Sequence, residues 1–216
     1  CADKQGDDFA YIRAACTYQR GEDDKALELF KKYLDEYPSG KYRADALLPI
    51  ARIEFKAAEK SGDKISAMES AKRGYEISKL SSDHLRLAWA YENAGKSEEA
   101  AGEYLKIARN YPKSQEACEA LYRKAMMDAR EERWSAAELA LAEALSIDKA
   151  PSRKALMLYW RGVASIRLGH EEKAMEYLKE ALKQNLSPDE AREANLMIAD
   201  FDLRRAMILP AYAELS

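Results

Sequence analysis

The sequence predicts an all-α fold, an α-solenoid of about five helical hairpins followed by a C-terminal helical segment. Three observations predict it: a skeleton that returns at a spacing suited to a helical hairpin, small residues at fixed places within it, and a composition dominated by helix formers. The skeleton is clearest over residues 95–112, where Gly95 is followed by Ala100, Tyr104, Ile107 and Pro112. The copy from Gly21 reads Ala26, Phe30, Tyr33, Pro38, and three more read Gly62, Ala67, Ala71, Gly74; Glu132, Ala137, Leu141, Ala144; and Gly169, Ala174, Leu178, Ala181. The five alanines stand 41, 33, 37 and 37 residues apart, and an internal period of that size marks an array.

Each copy also has a small residue before its turn: Ala14, Ala88, Ala125 and Gly162 seven residues back, and Ala51 eleven back. Helix axes approach to about 8–10 Å only where side chains are short, so each unit reads as two packed helices. Together these positions resemble the tetratricopeptide repeat, with a period near 34 residues and small residues, an aromatic and a late Pro at these places. The resemblance implies a right-handed solenoid. It covers residues 8–187 in units of 8–40, 41–80, 81–114, 115–150 and 151–187. Three departures stand out: Lys79, Lys149 and Leu186 replace the late Pro, Glu132 replaces the turn Gly, and the second unit's first helix is one turn longer.

With 47% hydrophobic residues and only 9 Gly and 6 Pro in 216, the chain reads as one soluble helical array that needs no division into domains. Its 35 basic and 38 acidic residues are intermixed, giving a net charge of −3. No basic stripe of the kind a phosphate backbone requires is present, so nucleic acid is not expected as a partner. No apolar run approaches the roughly 18–20 residues of a membrane span. The only membrane association expected is acylation of Cys1.

Residues 1–7 read as a polar leader. Cys1 in place of Met suggests two origins, the mature N-terminus of a bacterial lipoprotein tethered through Cys1, or the edge of a fragment. The junctions Tyr37-Pro38-Ser39-Gly40 and Tyr111-Pro112-Lys113-Ser114 resemble those of tetratricopeptide proteins of bacterial envelopes, such as the Tol-Pal accessory proteins and the lipoprotein of the outer-membrane β-barrel assembly machine. That resemblance implies a periplasmic location, anchored at the outer membrane if Cys1 is lipidated and cytoplasmic or undetermined otherwise.

In the first unit, Ala26, Leu27, Phe30, Tyr33 and Leu34 share one helical face and Glu28, Lys31, Lys32 and Asp35 the other. In the second, Pro49 is tolerated if its helix starts near Ala46 and otherwise kinks it. Ser82 or Asp83 is the expected N-cap of the third unit. Ser187 and Pro188 read as N-cap and first helical residue of the segment 188–216, which predicts a C-terminal helix or a sixth unit cut short. Glu190 to Asp200 is expected to be helical, and Leu203 to Ala213 contains the apolar run Ala206-Met207-Ile208-Leu209 before Pro210.

Enzyme chemistry finds no purchase, and no cofactor or metal is expected. His170-Glu171-Glu172-Lys173-Ala174 begins like a zinc-protease HExxH but has Ala174 where the second His belongs. His84 and His170 read as surface residues. Cys16 and Cys118 lie three units apart, too far for the roughly 7 Å of a disulfide, and read as small buried packing residues.

A surface for a protein or peptide remains, and no small-molecule substrate is expected. In the family the first helices line the concave face, so the resemblance places Tyr11, Leu48, Leu85, Tyr122 and Tyr159 in one groove row. Ala15, Arg52, Trp89, Met126 and Val163 form a second, with Arg86, Arg123, Arg130 and Arg167 near the rim. The partner-binding residues expected are Tyr11, Arg52, Trp89, Tyr122, Arg123, Met126 and Tyr159, aromatic and Arg types being those that dominate binding hot spots. Members that clamp a C-terminal carboxylate use Lys and Asn at these places, which this chain lacks. An apolar groove with basic edges suits an extended or helical peptide carrying acidic groups. The alternative is a structural or self-associating segment of a longer repeat protein.

Overall fold

The structure, a computed structural model, describes residues 2–147 and 151–213, and all the regular structure among them is helical. In order the helices are α1 (Ala2–Gln19), α2 (Asp23–Glu36), α3 (Arg43–Ser61), α4 (Lys64–Ser78), α5 (Ser81–Asn93), α6 (Ser97–Asn110), α7 (Gln115–Arg130), α8 (Trp134–Ile147), α9 (Pro151–Arg167), α10 (Glu171–Leu182) and α11 (Pro188–Ala213). They form two compact units that divide within α6, Cys1–Glu103 and Tyr104–Ser216. Each unit is a stack of antiparallel hairpins, as the repeat predicts. In the first, α1 packs on α2 and α3 on α4, with α2 on α3 and α4 on α5 joining successive hairpins; in the second, α7–α8 and α9–α10 are joined by α8 on α9, and α11 packs on α10.

One device makes each hairpin turn. The residue at the start of the repeat skeleton has a left-handed backbone, with φ of +77° at Gly21 and +76° at Gly62, and Glu132 adopts +58° without being glycine. Around it the amide of Gly21 donates to the Tyr18 carbonyl and that of Glu22 to the Thr17 carbonyl, and the same pair of bonds recurs at Gly62, Gly95, Glu132 and Gly169. This double bond satisfies carbonyls that a helix end leaves over, so every hairpin turns identically. The positions that follow form the core. Ala26, Ala100, Ala137 and Ala174 are fully buried, as are Phe30, Tyr104 and Leu178 at the next place, and each such large side chain contributes about 1.5–3 kcal/mol by leaving water.

The junction after α2 is tied down by polar bonds. Tyr33, buried in the first hairpin, donates its hydroxyl to Asp7 Oδ1 (2.5 Å) and accepts the Tyr42 amide (3.0 Å), while the Lys41 amide donates to Asp7 Oδ2 (3.0 Å). Burial and the Asp7 bond push the Tyr33 hydroxyl up to about 12, and the same bond holds the Asp7 carboxyl below its usual value. Gly40 belongs here because a Cβ would lie 2.5 Å from the Tyr33 hydroxyl.

Several expectations change. Residues 2–7 are the first turns of α1, with Asp7 part of the clamp just described; Cys1 lies outside the described residues. The helix α3 starts at Arg43, so Pro49 sits in its interior and offers no N–H to the Asp45 carbonyl one turn back. Leu80 is the residue before α5, and neither Ser82 nor Asp83 caps it. Segment 188–213 is a single helix that runs through Pro210; Ser187 caps it, accepting the Glu190 amide at 3.4 Å. His84 is buried, its Nε2 2.6 Å from Glu103 Oε2 and its ring stacked 4.0 Å from Tyr75, whereas His170 is exposed at the start of α10. Cys118 is buried, its Sγ 3.6 Å from the Ala144 carbonyl, but Cys16 is exposed.

Candidate interaction surface

In the first unit the first helices of successive hairpins, α1, α3 and α5, are joined through side chains at the positions the resemblance assigns to the groove. Tyr11 of α1 stacks flat on Tyr42, with ring centroids 4.3 Å apart and planes 9° apart, and meets the edge of Tyr33. Burial, then Asp45 and Tyr42, push its hydroxyl up. Tyr11 is thus half-buried packing.

Arg52 of α3 does not reach outward as an open cation. Its Nε donates to Asp83 Oδ1 (3.1 Å) and its Nη2 to Oδ2 (2.6 Å), with Tyr18 of α1 a further hydrogen-bond partner. Arg86, one turn along α5, donates Nη1 to Asp83 Oδ1. Asp83 is only 2% exposed. Burial alone raises its carboxyl, but the hydrogen bonds from Arg52 and Ser78, with the charges of Arg52 and Arg86, hold it below the usual carboxylate value. A bidentate pair of this kind is the strong form of ion pair, and removing one partner strands a buried charge. The cluster therefore ties α1, α3 and α5 together, a structural role where a binding role was expected of Arg52. Beside it stands Trp89, three residues from Arg86 on the same α5 face and still 37% exposed.

In the second unit Tyr122 and Met126 of α7 are half-buried against a core of Cys118, Leu121, Ala125, Leu141 and Met157. Burial, then the charge of Glu119, pushes the Tyr122 hydroxyl up. Arg123 is held by Glu119 through Nε (2.7 Å), and Arg153 of α9 meets the other Glu119 oxygen at 3.2 Å. Tyr159 departs from expectation. It is 3% exposed, packs in the core with Leu158, Leu178 and Ala181, and donates its hydroxyl to Glu193 of α11. Burial and the Glu193 carboxylate push that hydroxyl up. It is a core residue that joins α9 to α11, not a groove wall. Of the expected rim, Arg167 lies over the Trp134 ring at 5.5 Å and Arg130 is exposed.

The residues that sequence reasoning passed over are buried acids. Asp128 of α7 is fully buried and held by Lys124 Nζ (2.5 Å) and by Arg133 Nε (3.0 Å) and Nη2 (2.7 Å). A signal existed: Asp128 continues the stripe Ala117, Leu121, Ala125 at helical spacing, and Asp83 precedes Leu87 by one turn. Among the described residues, no group of three His, Cys, Asp or Glu is placed to hold a metal ion, and no helix is long and apolar enough to cross a membrane.

The stacked helical hairpins with their repeated left-handed turns form an all-α solenoid, and comparison with known proteins agrees in fold. Residues 9–40 and 84–114, which correspond to α1–α2 and α5–α6, match the sequence model of the tetratricopeptide repeat. No curated protein matches the chain in sequence. Among solved structures, YrrB, described as a TPR protein with an unusual peptide-binding site, aligns with a TM-score of 0.63 at 18% identity over 86% of this chain and 90% of that one. The MamA protein aligns with 0.62 at 17% identity over 85% and 92%. A tetratricopeptide repeat protein from Parabacteroides merdae ATCC 43184 gives 0.62 at 15% identity over 97% and 77%. At such identities the likeness establishes the fold.

Proposed function

We propose that this chain is a non-enzymatic adaptor that holds a protein or peptide segment against the faces of its first helices. Trp89 is the anchor in the first unit, and Tyr122 and Met126 offer a second contact area in the other. The observation that carries this reading is the pairing of an exposed indole with a guanidinium cluster already fixed in place by Asp83. Such a site is preorganised, so little side-chain entropy is lost on binding, and aromatic anchors beside Arg are the usual centres of binding energy. The chemistry that fits is an apolar or aromatic side chain laid on Trp89 with an acidic neighbour toward Arg86. The peptide-binding site ascribed to YrrB gives the same fold a precedent.

Peptides selected on the intact chain from a random library test this. Trp89→Ala is expected to weaken the selected peptides at least about tenfold, roughly 1.4 kcal/mol, with far-UV circular dichroism as the check that the helical fold is retained. Equal affinity in the variant contradicts the assignment.

We assign the adaptor to a bacterial envelope on the strength of its two Tyr-Pro junctions. The mass of the Cys1 peptide recovered from membranes tests that assignment, an acylated mass supporting it and an unmodified one overturning the anchor.

A further inference from the structure

The first and last described helices each carry an exposed apolar row on the side opposite their packed stripe. In α1, Ala14 and Thr17 are buried, while Phe9 (71% exposed), Ile12 (53%) and the exposed Cys16 stand three and four residues apart on the other side. In α11, Ala194 and Phe201 are buried, and Leu196 (64%), Leu203 (61%) and Met207 (69%) stand seven and four apart on the opposite side. At 3.6 residues per turn each set forms one ridge. Contiguous exposed apolar rows of this kind have the character of interfaces.

The charges beside the two rows are complementary in one orientation. Arg13 and Arg20 border one flank of the α1 row, and Glu193 and Asp200 border the same flank of the α11 row, where Glu193 also accepts the Tyr159 hydroxyl and Asp200 also accepts Arg204 Nε. If the helices lie antiparallel with Phe9 against Leu203 and Cys16 against Leu196, Ile12 falls beside the small Ala199, Arg13 comes level with Asp200, and Arg20 with Glu193. Parallel pairing brings opposite flanks together and sets the same arginines on the side of Arg192.

We propose that α1 of one copy packs antiparallel on α11 of a second copy, joining copies head to tail. This contact is heterologous, α1 of one copy meeting α11 of the next; such contacts close into a ring where the rotation permits and grow open where it does not. It is independent of partner capture at Trp89.

Sedimentation velocity of the full chain over a concentration series into the high micromolar range tests the proposal. The expected result is a mass that climbs above the monomer with concentration and falls at high salt, where the flanking pairs are screened. Phe9→Glu blocks the head and Leu203→Glu the tail, so each variant alone is expected to be monomeric, and their equimolar mixture to form a dimer and stop there. A wild-type chain that stays monomeric overturns the proposal, as does a mixture that stays monomeric. A Phe9→Glu variant that still dimerises overturns it too, because it shows α11 pairing with itself. Both sites are exposed, and far-UV circular dichroism checks the fold. If either variant unfolds, Arg13→Glu and Asp200→Arg replace them: each alone is expected to weaken association and the two in one chain to restore it, and failure to restore overturns the pairing.

Discussion

Gly162 and Gly102 both lie inside helices, and the structure predicts opposite outcomes for the same substitution. Alanine in place of an interior helical glycine gains about 0.8–1.0 kcal/mol from propensity alone. At Gly102 in α6 an added Cβ meets nothing within 4 Å, so Gly102→Ala is expected to deliver that gain. At Gly162 in α9 the Cβ would lie 2.7 Å from Leu178 Cγ, 2.8 Å from Leu178 Cδ2 and 3.3 Å from the Ala174 carbonyl. Leu178 is fully buried, so relief requires movement of α10 or a strained rotamer, and overpacking of this kind costs about 1–3 kcal/mol. Setting that against the propensity gain, Gly162→Ala is expected to be about 0–2 kcal/mol less stable than the wild type and about 1–3 kcal/mol less stable than Gly102→Ala. Urea denaturation followed by far-UV circular dichroism reads both, with equal slopes as the check that only the folded state has changed. If Gly162→Ala stabilises as much as Gly102→Ala, the close approach of α9 to α10 is wrong, and with it the helix phase on which the repeat assignment rests.

Asp83→Asn is expected to destabilise the protein by about 3 kcal/mol, the low end for breaking a buried pair because Arg52 and Arg86 reach water, and urea melts of the two proteins measure it. Because the Asp83 carboxyl is held below its usual value in the folded state, its contribution is present above the unfolded value of about 3.9 and declines as pH falls through the lower folded value. The gap between wild type and Asp83→Asn should therefore narrow below about pH 4; a gap unchanged on acidification would rule out the ion pair. Glu132→Gly should stabilise by roughly 0.5–1 kcal/mol, since a left-handed non-glycine residue costs about 1–2 kcal/mol and glycine's extra backbone entropy returns part of it. A lower melting temperature for that variant would mean the turn at Glu132 is not the left-handed one.

The hairpins were legible in the sequence because repetition supplies what a single pattern lacks. Ala26, Ala67, Ala100, Ala137 and Ala174 share one phase, and in every case the place is buried, so five weak signals combine into a strong one. Even Glu132 could be placed at a glycine's turn, because its neighbours Ala125 and Ala137 kept the count. Non-repeated features were less legible. Pro49 suggested a late helix start, yet packing of Ala46 and Ile50 extends α3 back to Arg43 despite the lost hydrogen bond. The polar look of residues 2–7 hid the long-range bond from Asp7 to Tyr33, which no local pattern encodes.

The surface was half legible for a related reason. Repeat phase shows which side of a first helix a residue occupies but not what lies opposite it. Arg52 faces Asp83 from 31 residues away, and Tyr159 faces Glu193 from 34 away, so both were drawn into the fold. Trp89, by contrast, stays 37% exposed. Asp83 and Asp128 were passed over because acids are normally solvated, and only the Arg and Lys side chains converging on them make burial tolerable.

The most direct test of partner capture by the first-helix face is site-specific photocrosslinking in the cells that make the protein. A photoreactive residue is placed at position 89 in one strain and, in a control strain, at Glu28 on the solvated side of α2. The account predicts one dominant crosslinked partner from position 89, absent from position 28, with peptides that join the partner's apolar or aromatic residues to that site. Equal crosslinking from both positions, or none from position 89, would contradict it.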